Sequence, residues 1–191
     1  MGREFELKFR ADAETIAAIR QKYGTFTSIA METSYYDTQD LKLAFHHWTL
    51  RRRMENGVSV CTFKRPHADG GRGEWEVEAS SIMEGVMKLC QSGADWELMR
   101  ISAGGLVQTC GARFTRLAAA LDVPGGRVEL ALDQGVLLGR GKELPFAEVE
   151  VELKEGADEA ALSFADALAK EFDLTPEPKS KFVRAMTLAM G

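Results

Sequence analysis

Cysteine is scarce: Cys61, Cys90 and Cys110 are odd in number and far apart. No Cys-x-x-Cys pair and no Cys/His cluster accompanies them, which argues against a disulfide framework and against a zinc site. Histidine is as rare. His46, His47 and His67 fall in predicted loops, so none stands out as a general base. No apolar run approaches the roughly 18 residues that a membrane-spanning helix needs. Residues 1–10 alternate charged and apolar side chains where a secretory leader would carry an apolar stretch. A cytoplasmic protein that meets no membrane is the expectation. There is no internal repeat, low-complexity tract or linker-like segment, so residues 1–191 read as a single domain.

The composition is that of a chain able to close a core, with 45% hydrophobic and 28% charged residues. The 24 Lys+Arg against 29 Asp+Glu leave a net charge of −5. An acidic balance argues against a general nucleic-acid binder. It leaves room for a local basic site that holds a small anion, because net charge is silent about arrangement.

Alternation is the strongest pattern. Successive strand side chains point to opposite faces, so a period of two separates a wet face from a dry one. Residues 4–10 place Phe5, Leu7 and Phe9 opposite Glu4, Glu6, Lys8 and Arg10. Residues 72–78 place Arg72, Glu74, Glu76 and Glu78 opposite Trp75 and Val77. Residues 127–133 oppose Arg127, Glu129 and Asp133 to Val128, Leu130 and Leu132. Residues 147–154 oppose Glu148, Glu150, Glu152 and Lys154 to Ala147, Val149, Val151 and Leu153. Further strands are predicted over about 25–36, 48–55, 57–65, 107–118 and 136–142. Asn56-Gly57 is a hairpin signal, and Gly125-Gly126 and Gly139–Gly141 punctuate other strands. Helices are predicted over 12–23, from the N-cap Asp12, and over 81–90, 158–172 and 179–190, with a short turn of helix at 38–45. The fold class is α+β, built on roughly eight or nine strands.

A charged face is ordinarily just the solvated one. Here the charges repeat in register. Like charges about 7 Å apart repel by about 0.6 kcal/mol in water and about 2.4 kcal/mol at an effective dielectric of 20. The rows Glu74/Glu76/Glu78 and Glu148/Glu150/Glu152 are therefore harmless on an open face and costly in an enclosed one. Cations occur in the same register: Arg51 and Arg53, Lys64, Arg72, Arg116, and then Lys179, Lys181 and Arg184 in the last helix. Such cations suit a polyanion, and the carboxylates suit Mg²⁺ or Mn²⁺, which take oxygen ligands. A closed antiparallel barrel with helices packed outside would enclose them.

These residues resemble the CYTH superfamily, the triphosphate tunnel metalloenzymes. Glu4-Phe5-Glu6-Leu7-Lys8 is similar to the family's Glu-x-Glu-x-Lys signature. Tyr35-Tyr36-Asp37-Thr38, Leu50-Arg51-Arg52-Arg53, Thr62-Phe63-Lys64, the acidic strand with Glu74 and Glu76, Glu148-Val149-Glu150-Val151-Glu152-Leu153-Lys154 and Ser180-Lys181-Phe182 resemble its later segments, in order. The resemblance spans nearly the whole chain. It implies a closed eight-stranded antiparallel tunnel that binds a triphosphate with divalent metal. No motif of the family matches residues 82–106. From the length, the second helical domain that some bacterial triphosphatases append is not expected.

The roles implied are these. Lys8, Arg51, Arg53, Lys64, Arg116 and Lys181 clamp phosphates. Glu4, Glu6, Glu148 and Glu150 hold one or two Mg²⁺ or Mn²⁺ ions and, with Lys8, form the catalytic group. Glu74, Glu76, Glu129, Asp133, Glu152, Arg72, Lys179 and Arg184 support them. Hydrolysis of inorganic triphosphate, with nucleoside triphosphates as poorer substrates, leads the expectations, in a monomer or homodimer. The alternatives are a class IV adenylate cyclase, a thiamine triphosphatase using Trp48, Trp75 or Trp96 for stacking, and a polyphosphate-binding module without turnover.

Overall fold

A computed structural model describes residues 5–66 and 72–191, with Arg72 described by its backbone alone. Glu4 and His67 lie outside the described residues. The elements run β1 (Glu6–Arg10), α1 (Ala13–Tyr23), β2 (Thr27–Asp37), α2 (Lys42–Phe45), β3 (Thr49–Glu55), β4 (Val58–Pro66), β5 (Arg72–Glu78), α3 (Ile82–Gln91), α4 (Glu97–Ser102), β6 (Val107–Val123), β7 (Gly126–Gly139), β8 (Lys142–Gly156), α5 (Asp158–Phe172), β9 (Thr175–Pro176) and α6 (Lys181–Met190).

Local chemistry sets many of these boundaries. Asp12 accepts from the Thr15 amide at 2.8 Å and starts α1, and Ser180 accepts from the Val183 amide at 3.2 Å and starts α6. Asn56 and Gly57 both take positive φ, 47° and 90°, which a tight hairpin between β3 and β4 requires. The Asp37 carboxylate accepts from the amides of Thr38, Leu43 and Ala44 at 2.7–2.9 Å, and so ties the end of β2 to the start of α2. Residues 127–133 and 136–142, predicted as separate strands, run through Gly135 as the single strand β7 and then turn at Arg140-Gly141. The region without a motif, 82–106, forms α3 and α4.

Among the described residues every ladder is antiparallel, and nine strands form one sheet in the order β5-β4-β3-β2-β6-β7-β8-β1-β9. The expected closed eight-stranded barrel is therefore wrong: the sheet is open. The reason lies at its edges. The outer side of β1 is already used, because Phe9 and Arg10 pair with Pro176 and Thr175 and the Glu177 amide donates to the Lys8 carbonyl at 2.8 Å. Pro176 has no amide hydrogen to extend the ladder. At the other edge, β5 presents Glu74, Glu76 and Glu78, and charge discourages further pairing.

The register sorts the side chains. One face carries Phe9, Leu117, Val128, Leu130, Leu132, Val149 and Val151, covered by Ile16 and Ile19 of α1 and Ala161, Ala165 and Leu168 of α5. Further along the same face, Leu50, Cys61 and Phe63 pack under Val86, Leu89, Leu98 and Ile101 of α3 and α4. The opposite face carries the charges. The helices were expected to cover the apolar side; α6, whose cations were counted with the charged face, lies across that charged face. Its Phe182 and Ala185 pack with Tyr35, Ala112, Phe114, Leu137 and Phe146.

Candidate functional site

Directly paired residues of neighbouring strands share a face, so the register alone maps the charged side. From β5 inward it carries Glu74 and Glu76, then Lys64 and Thr62 of β4, then Arg51 and Arg53 of β3. The next strand, β2, contributes the uncharged Ile29, Met31, Thr33 and Tyr35. Beyond it come Arg116 of β6, Asp133 and Glu129 of β7, Glu148, Glu150 and Glu152 of β8, and Glu6, Lys8 and Arg10 of β1. The face is thus polarised. Arg51, Arg53 and Lys64 gather on β3 and β4 beside Glu74 and Glu76 of β5, carboxylates dominate β7 and β8, β1 carries both signs, and Arg116 stands at the boundary.

On the acidic side, Asp133, Glu148 and Glu150 are buried, with oxygen atoms within 4.8 Å of one another. Three cations meet them. The Lys181 ammonium lies 2.7 Å from Asp133 and 2.9 Å from Glu150, and it also bonds Glu148. The Arg116 guanidinium forks onto Asp133 at 2.8 and 2.7 Å and reaches Glu150. Arg184 bonds the far oxygen of Glu148. Burial would raise the carboxyl of Glu150, but Lys181 and Arg116 outweigh it and hold the group well below the usual carboxylate range. Glu148 goes the other way: burial dominates and pushes its carboxyl up. Burial disfavours the Lys181 ammonium, yet Glu150, Asp133 and Glu148 reverse this and keep it protonated.

The donor set fits a hard divalent cation, since three carboxylates at this spacing offer only oxygen. The Lys181 ammonium lies against all three carboxylates.

The other residues picked out in the sequence fall elsewhere on the same face. Glu6 bonds Lys8 at 2.9 Å and pairs with Glu152, which pairs with Glu129, so these acids form a separate row. Lys154 binds Glu152 at 2.8 Å. Lys64 is 3.1 Å from Glu74, and Thr62 donates to Glu76 at 3.1 Å. Arg72 pairs with Pro66 through its backbone register. Lys179 is exposed, and it is its amide that reaches Glu177. Arg184, first given only a supporting place, sits inside the cluster. Glu4 is outside the described residues. Trp48 and Trp75 belong to the apolar cluster around Phe63 on the opposite face, and Trp96 is 59% exposed at the start of α4.

Arg51 and Arg53 share the charged face of β3. Arg53 bonds Glu55, and Arg51 approaches Glu74 only at 4.0 Å. The Nε atoms of both are buried without a hydrogen-bond acceptor. Burial, then the neighbouring Arg51 and more weakly Arg116, hold the Arg53 guanidinium below its ordinary value.

One buried acid was missed. Glu177, 3% exposed, accepts from Arg10 Nε at 2.6 Å and lies 3.8 Å from Arg184. It sits between Pro176 and Pro178, outside any alternating strand, so periodicity could not flag it.

The sequence model of the CYTH domain matches residues 2–186, and the chain belongs to that family. The inorganic triphosphatase of Haemophilus influenzae is 25% identical over 204 residues, which cover 98% of this chain and 55% of that protein. The chain thus spans about half the length of this curated relative. Among solved structures, HpAC1 of Hippeastrum, studied as an adenylyl cyclase and found to have a dominant triphosphatase activity, superposes with a TM-score of 0.70 at 20% identity, covering 95% of this chain and 94% of that one. The PH1819 protein of Pyrococcus horikoshii gives 0.64 at 21% identity, covering 98% and 99%. Among the described residues no helix is long and apolar enough to cross a membrane.

Proposed function

We propose that this chain hydrolyses inorganic triphosphate with the aid of Mg²⁺ or Mn²⁺, and takes nucleoside triphosphates less well. The observation that carries the reading is the pair Arg51 and Arg53, whose buried Nε donors lack acceptors on the same face as the carboxylates of β7 and β8. An unsatisfied buried donor costs about 1–3 kcal/mol, and an anion that accepts from it recovers that penalty. Guanidinium forks match phosphate oxygens in pairs, and Lys64 adds a point charge beside them. Asp133, Glu148 and Glu150 hold the metal. Bound there, the ion would neutralise charge on the phosphates and activate a water. Lys8 and Arg116 flank the carboxylates and complete the positive wall on that side.

The triphosphatase names of the Haemophilus and Hippeastrum relatives support the reading. Trp48 and Trp75, which a stacked base or thiazole ring would need, face the other way.

The test is phosphate release from tripolyphosphate by purified protein with each metal, beside ATP and thiamine triphosphate. No release from tripolyphosphate overturns the proposal. Cyclic AMP and pyrophosphate from ATP replace it with a cyclase. Glu148→Gln is expected to keep triphosphate binding and lose turnover.

A further inference from the structure

The Lys181 side chain is only 11% exposed. Its ammonium is enclosed by Asp133, Glu148 and Glu150, with the rings of Phe114 and Phe146 at 5.0 and 5.5 Å behind it. Three carboxylates meet three cations, Lys181, Arg116 and Arg184, so the cluster is neutral as it stands. A dication added to it would leave two uncompensated positive charges in a poorly solvated place, which is strongly unfavourable. Arg116 cannot leave easily, because its fork on Asp133 is bidentate. Arg184 is held between Glu148 and Glu177. Lys181 is the first residue of α6 and carries a single ammonium on a long unbranched stem, with no bidentate fork to break, so of the three it is the cation a metal would displace.

We propose that Lys181 is a tethered competitor of the divalent metal: the ammonium closes the carboxylate cluster until the metal displaces it. The inference rests on the reading of these carboxylates as the metal site. The displaced ammonium leaves the cluster with a net positive charge, which a triphosphate arriving from the Arg51–Arg53 side offsets. Metal and triphosphate therefore bind with positive coupling, each raising the affinity for the other by the same factor. The device keeps the carboxylates satisfied while substrate is away.

The experiment measures Mn²⁺ affinity by calorimetry, with and without tripolyphosphate, in the wild-type protein, Lys181→Met and Lys181→Arg. Without tripolyphosphate, Lys181→Met is expected to bind Mn²⁺ on the order of ten- to a hundredfold more tightly than wild type, and Lys181→Arg close to wild type. The tripolyphosphate enhancement shrinks in Lys181→Met. Equal or weaker Mn²⁺ binding by a folded Lys181→Met overturns the proposal and leaves the functional reading standing, since wild-type phosphate release tests that separately. Absence of Mn²⁺ binding in wild type and variant alike overturns both. Should Lys181→Met fail to fold, acylation of Lys181 in the wild-type protein, read by peptide mass, replaces it. Saturating Mg²⁺ is expected to raise labelling, and unchanged labelling overturns the proposal.

Discussion

The backbone nitrogen of Ala189 in α6 passes so close to Gly139 in β7 that a Cβ built on the glycine would lie 2.7 Å from it. The Ala185 carbonyl would lie 2.9 Å away. The helix that carries Lys181 and Arg184 is thus seated against bare backbone, and no side chain fits between.

Gly139→Val is expected to lift α6 and to destabilise the protein by about 1–3 kcal/mol, the usual range for overpacking. The displaced helix also withdraws Lys181 and Arg184 from Glu148. Thermal unfolding measures the first effect. A lowered kcat in protein that is still folded reports the second.

Gly85 supplies the contrasting case. A Cβ there would come closer than 3.0 Å to the Cys61 sulfur, so α3 packs on β4 through this glycine. The contact lies on the apolar face, away from the charged one. Gly85→Ala is expected to lower the melting temperature while kcat/KM of the folded protein stays unchanged. The double variant Gly85→Ala/Cys61→Gly recovers part of the loss.

Arg53 and Arg52 are neighbours with opposite duties. Arg53 faces the carboxylates, whereas Arg52 donates to Ser59 at 2.8 Å on the other side of the sheet. Arg53→Ala is expected to raise KM for triphosphate by about tenfold or more, the loss of a charge-assisted hydrogen bond of about 1.5–3 kcal/mol. Arg52→Ala leaves KM near wild type. Steady-state kinetics at one fixed ionic strength makes the comparison.

Glu177 gives the acid limb of the stability curve a defined sign. Burial would raise its carboxyl, but the hydrogen bond from Arg10 prevails and the group lies below its ordinary value of 4.5. A carboxyl depressed on folding contributes stability that is present above the unfolded value and is lost as pH falls through the folded one. Wild-type protein is therefore expected to lose stability as pH drops below about 4.5, and Glu177→Gln to lose less over that window. Urea unfolding at a series of pH values tests this.

The buried Asp37 carboxylate accepts from the Leu43 and Ala44 amides of α2, and from the amide and hydroxyl of Thr38 before it. Asp37→Ala is expected to cost about 2 kcal/mol, at the upper end for a lost helix cap. Urea unfolding at neutral pH measures it.

Much of this was legible in the chain. Glu148, Glu150 and Glu152 share a face because a strand has period two, a local steric property that any seven residues display. The same reasoning placed Arg51 and Arg53 together. The start of α1 followed from Asp12, whose side chain bonds the amide three residues on, whereas the last helix, expected from 179, begins at Lys181 after the cap Ser180. Three things were decided only in tertiary structure, because they depend on partners far apart in sequence. The sheet stays open because residues 175–177, which no strand pattern marks, occupy the edge of β1. Asp133 rather than Glu6 joins Glu148 and Glu150 because the cluster gathers at the start of α6, where Lys181 reaches all three. Arg10 finds Glu177 across 167 residues of sequence, a contact that periodicity within a strand cannot anticipate.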